Sequence, residues 1–81
     1  MPTLTLDRAT LGRPHRVTGV TAPPVAPHWA RWLEEIGFVV GESVMLTARA
    51  ALGDPLVIRV GTATFALRRA EAACIRVEAL A

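Results

Sequence analysis

The stretch GDPLVIRVGTATFALRRAEAACIRV, Gly53 to Val77, decides the fold. It opens on a turn, where Gly53 lets the chain reverse and Pro55 pushes Asp54 towards extended backbone. Two short strands follow, joined at Gly61. Leu56, Ile58 and Val60 alternate with Val57 and Arg59, and Ala63, Phe65 and Leu67 alternate with Thr64, Ala66 and Arg68. The pair Arg68-Arg69 begins a tight turn with Ala70 and Glu71. A last strand sets Ile75, Val77 and Ala79 against Arg76 and Glu78. Alternation with period two places one face in a core and the other in water.

The same period continues upstream, where Val44, Leu46 and Ala48 alternate with Met45, Thr47 and Arg49. Before that it changes. Trp29, Trp32, Leu33 and Ile36 fall at i, i+3, i+4 and i+7, one apolar face of a helix from about Pro27 to Ile36. Proline is tolerated in a first helical turn, because its missing N–H has no helical partner there. Gly37 fits the left-handed position that ends many helices. Arg31 and Glu35 form an i,i+4 pair off the apolar face. Further upstream, Thr21 to Pro27 reads as a proline loop, and Arg16 to Val20 as a strand with a bulge at Gly19. Leu11 to Pro14 is a turn and Thr3 to Leu6 is extended. The expectation is a mainly β fold, a small closed or nearly closed barrel of five to six strands. One short helix covers its open end, in a single domain over residues 1–81.

Composition narrows the function. With 52% apolar and 20% charged residues, the chain has enough material for a core and too little charge for disorder. Its 81 residues leave little room for a large enclosed pocket. One cysteine cannot form an internal disulfide, which fits a reducing compartment. No apolar run approaches the roughly 20 residues that span a bilayer, and MPTLTLDRATLGRPHR lacks the pattern of a signal peptide. A cytoplasmic location and no membrane insertion are expected. All nine basic residues are arginine, yet the net charge is only +2. So weak an excess argues against nucleic acid, whose affinity rests on clustered cations.

Catalysis finds no constellation. A nucleophile needs a base within reach and a group to orient it. Cys74, the distant His15 and His28, and seven scattered carboxylates offer none. Gly53-Asp54-Pro55 precedes a strand and lacks a following lysine, so it is no phosphate loop. A closed transition-metal site wants four ligands. The residues allow only a weak surface site, or one shared between chains, at His28, Glu34 and Glu35. No cofactor is expected beyond such a divalent metal.

Taken together, Ile36-Gly37-Phe38, Gly41, Gly53-Asp54-Pro55-Leu56 and Ala66-Leu67-Arg68-Arg69 with Glu71 resemble the FeoA family in order and spacing. The resemblance implies an SH3-like barrel and a non-enzymatic cytosolic accessory of bacterial ferrous iron uptake. It implies a partner, the cytosolic side of the transporter FeoB with its GTP-binding portion. Two other readings stay open: an SH3-like regulatory module of metal-dependent transcription control, and a small nucleic-acid-binding barrel. A homodimer through strand edges or the tryptophan face is open too.

For the partner surface, Trp29 and Trp32 stand out, since tryptophan is enriched at interface hot spots. The ordinary reading is that both seal the barrel end. In the functional reading one stays exposed and forms a hydrophobic cleft with Pro23, Pro24, Val25 and Phe38. Arg68 and Arg69 are the second candidate. Local salt bridges and carbonyl contacts would explain them, or docking to an acidic partner, with outward Arg49, Arg59 and Arg76 extending the patch.

Overall fold

Two periods in the sequence become two kinds of element in the computed structural model, which describes residues 3–80. Met1, Pro2 and Ala81, part of the expected domain, lie outside the described residues. The strands are β1 (Leu4–Thr5), β2 (Pro14–Val20), β3 (Ser43–Arg49), β4 (Leu56–Val60), β5 (Ala63–Leu67) and β6 (Ile75–Ala79). The helices are α1 (His28–Glu35) and α2 (Arg69–Ala72). One antiparallel sheet runs in the order β1-β6-β2-β3-β4-β5 and carries the expected mainly β, SH3-like architecture.

The alternation read from sequence decides which side chains enter the core. Val17, Val44, Leu46, Leu56, Ile58, Leu67, Ile75 and Val77 are buried, with Leu6 from the segment after β1. His15 is the one buried polar side chain among the described residues, and its Nδ1 lies 2.7 Å from the Arg13 carbonyl oxygen. A buried imidazole needs such a partner, so Nδ1 carries the proton it donates there.

The β2–β6 ladder slips between Val17 and Gly19, at the expected bulge. The Arg76 guanidinium lies over Gly19 where a Cβ would collide with it, and it donates to the Thr21 hydroxyl. Arg76 is therefore half-buried rather than part of an outward arginine patch. Alternation assigned it outward correctly, but the bare glycine lets its long stem fold back along the sheet.

On α1 the apolar stripe is narrower than expected. Leu33 is fully buried, and Trp29 and Ile36 pack partly against the core, whereas Trp32 at the stripe's edge is 37% exposed. The helix ends in a Schellman motif: Gly37 N–H donates to the Glu34 carbonyl and Phe38 N–H to the Leu33 carbonyl. This needs a residue of positive φ, and Gly37 has φ 123°. The reversal drives Phe38 inward, with its ring centroid 6.4 Å from that of Phe65.

The tight turn expected after the double arginine is instead the four-residue helix α2. Glu71 Oε1 accepts from Arg68 N–H at 2.8 Å, and Asp54 Oδ1 accepts from Arg69 N–H at 3.1 Å. Both carboxylates satisfy N-terminal donors that no helical carbonyl reaches. The second contact also ties the β3–β4 loop to the start of α2.

Candidate functional site

An apolar groove lies between the proline loop, the first turn of α1 and α2. Thr21, Ala22, Pro23, Val25, Trp29, Ala70, Ala73 and Cys74 line it, and its volume is about 600 Å³. Thr21 N–H donates to the Cys74 carbonyl at 2.9 Å, which anchors the loop to the end of α2. Ala26 N–H to Pro23 and Trp29 N–H to Ala26 then wind the chain into α1. The prolines fix φ and lower the entropy lost in holding this wall open. Val25 stands 92% exposed on its lip, and Trp29 is half-buried along its floor.

Apart from Thr21 and Cys74 the lining side chains are hydrocarbon or indole. Burial, with smaller contributions from the Glu71 and Asp7 carboxylates, pushes the Cys74 thiol up from its ordinary pKa. A thiol held neutral is a poor nucleophile, and its Sγ lies 3.5 Å from the Ala70 carbonyl as a weak donor. The groove is built to accept apolar groups.

The predicted cleft is thus present with different walls. Pro23, Val25 and Trp29 belong to it, while Pro24, Trp32 and Phe38 do not line it. Phe38 is fully buried, so the contact surface expected of it becomes a core position. The opposite wall is α2. Ala70 belongs to the helix and Ala73 and Cys74 to the residues just beyond its end, in the segment expected to be a tight turn.

Arg68 and Arg69 are exposed, and neither makes an ion pair among the described residues, so the local salt bridge of the ordinary reading is not formed. Arg69 sits at the start of α2 beside the β3–β4 loop, one of its guanidinium nitrogens 3.9 Å from where a Cβ on Gly53 would lie. The β3–β4 loop adds Leu52, fully exposed at φ 68°, which sequence reasoning did not single out.

The metal candidates stay apart. His28, Glu34 and Glu35 are exposed on α1, and Glu35 Oε1 accepts from Arg31 Nε at 3.1 Å. Among the described residues no three of His, Cys, Asp and Glu converge. No helix of the described residues is long and apolar enough to cross a membrane.

The six-stranded antiparallel sheet with its two short helices defines the class, a small SH3-like fold. The FeoA domain matches residues 4–79, and the chain belongs to the FeoA family. Similar solved structures include FeoA of Stenotrophomonas maltophilia complexed with zinc. It is 37% identical over 93% of this chain and 89% of that one, with TM-score 0.84. FeoA of Chlorobium tepidum is 32% identical over 96% of this chain and 71% of that one, with TM-score 0.82. A manganese-dependent transcriptional repressor, 22% identical over 98% of this chain and 42% of that one with TM-score 0.80, shares the fold. Comparison with curated proteins finds no match.

Proposed function

We propose that this protein is a non-enzymatic cytoplasmic accessory of ferrous iron uptake. It acts by docking on the cytosolic, GTP-binding side of the transporter FeoB. Family membership supplies the system: the Stenotrophomonas relative is described as a prokaryotic SH3 domain protein proposed to activate ferrous iron transport. The observation that carries the docking mode is the groove of about 600 Å³, lined by half-buried Trp29 and by Ala70 of α2, the helix that also carries the exposed Arg69. An apolar segment of the partner fills the groove while an acidic neighbour meets the arginine. Such a pairing of aromatic anchor and charged rim suits a modest interface. Docking regulates the transporter only through a difference in affinity between two of its states.

The nucleic-acid reading gains no support from the surface. The exposed side of β3, β4 and β5 carries Met45, Thr47, Val57, Arg59, Thr64 and Ala66 and no aromatic, whereas single-strand binders stack bases on aromatics.

Titration of the purified cytosolic domain of the host transporter, with GDP and with a non-hydrolysable GTP analogue, tests the proposal. Trp29→Ala weakens binding by about tenfold or more, as loss of a buried anchor does, and Arg69→Glu weakens it less. Circular dichroism of each variant checks that the fold survives. Unchanged binding by a folded Trp29→Ala would contradict the groove as the docking surface.

A further inference from the structure

At one margin of the sheet, β5 pairs only with β4, so its other edge faces outward. The opposite margin, β1, is a two-residue strand and offers little to pair with. β5 is five residues long, in unbroken register with β4, and contains no proline or charged residue. It has none of the devices that usually blunt an exposed edge.

The hairpin geometry says which groups are free. Gly61 and Thr62 form a two-residue loop, with φ 58° at Gly61, so Val60 and Ala63 close the hairpin as a hydrogen-bonded pair. Bonded and non-bonded pairs then alternate, and the N–H and C=O of Thr64 and Ala66 point away from β4. Both residues are exposed. Charge is distributed unevenly along this edge. Arg68, still in extended backbone at φ −69° and ψ 153°, stands at its C-terminal end. At the hairpin end Glu42, the residue before β3, reaches towards the loop, its Oε1 3.6 Å from where a Cβ on Gly61 would lie. Neither makes an ion pair among the described residues.

We infer that β5 is a self-association edge whose occupant is β5 of a second copy, antiparallel across a two-fold axis through Phe65. This register sets Thr64 opposite Ala66 of the other copy and forms roughly four backbone hydrogen bonds from otherwise free groups. It brings Arg68 opposite Thr62 of the second copy, beside Gly61 and Glu42, and the two-fold repeats that opposite-charge contact. It also sets the half-buried Phe65 rings against each other, a favourable cross-strand pair. A parallel approach would place like charges together. The antiparallel charge match therefore favours a second copy over an unrelated strand.

Sedimentation velocity from about 10 µM to about 1 mM, the range where small interfaces dissociate, tests the inference. The wild type shows a monomer–dimer equilibrium that weakens at high salt. Ala66→Pro removes an outward N–H with no intramolecular role, and proline is tolerated at edges. That variant stays folded by circular dichroism and sediments as a monomer throughout. Arg68→Glu and Glu42→Arg each weaken the dimer by about tenfold, and the double exchange restores it. A wild type monomeric at 1 mM would overturn the inference, as would a dimer that survives Ala66→Pro or a double exchange that fails to restore it. Titration of the transporter domain with Ala66→Pro keeps this outcome separate from the docking proposal, since its groove is intact.

Discussion

Leu52 shows how one residue can stand outside the general logic of the fold. It is fully exposed with φ 68° and ψ 9°, where a Cβ crowds the backbone, so it contributes strain and no burial. Leu52→Asn, which tolerates this conformation, is expected to raise stability by about 1 kcal/mol and the melting temperature by roughly 5 °C. An unchanged melting temperature would mean that the loop relaxes without cost. Cys74 makes the opposite kind of contribution. Its raised pKa means that the folded state favours the neutral thiol. That stability is complete below the ordinary thiol range of about 8.5 and is lost as pH rises through the folded value. Thermal melts across alkaline pH should therefore show a decline that Cys74→Ala flattens. A slope identical in the two proteins would assign it to other groups.

At the scale of elements, the helix α1 is held by one residue more than by its length. Leu33 is fully buried, while Trp29 and Ile36 only lean on the core. Leu33→Ala is expected to cost about 2–5 kcal/mol in chemical denaturation, enough to threaten a domain of this size. A loss under 1 kcal/mol would show that the core collapses around the gap. The strands were legible in the sequence because period two survives any tertiary arrangement, and the Gly19 bulge because glycine interrupts that period. The helix α2 was not legible. Four residues are too few to display a period, and it forms because Asp54 and Glu71 satisfy its N-terminal amides. Half of the groove was lost with it. Pro23, Val25 and Trp29 could be read as one local segment, but Ala70, Ala73 and Cys74 reach them only through the tertiary fold. Phe38 failed as a surface residue because the Gly37 reversal turned the next side chain into the core.

For the whole molecule, the groove and the β5 edge are different surfaces with different chemistry. One is apolar and made of side chains. The other is polar backbone flanked by Arg68 and Glu42. The proposed docking through the first and the inferred self-pairing through the second would let a transporter-bound protein recruit a second copy without sharing a surface. The central claim rests on the groove, and the most direct measurement is calorimetric titration of the transporter's cytosolic domain in its two nucleotide states. The account predicts saturable binding that differs between GDP and the GTP analogue and is lost in a folded Trp29→Ala. No binding in either state, or equal binding by that variant, would contradict it.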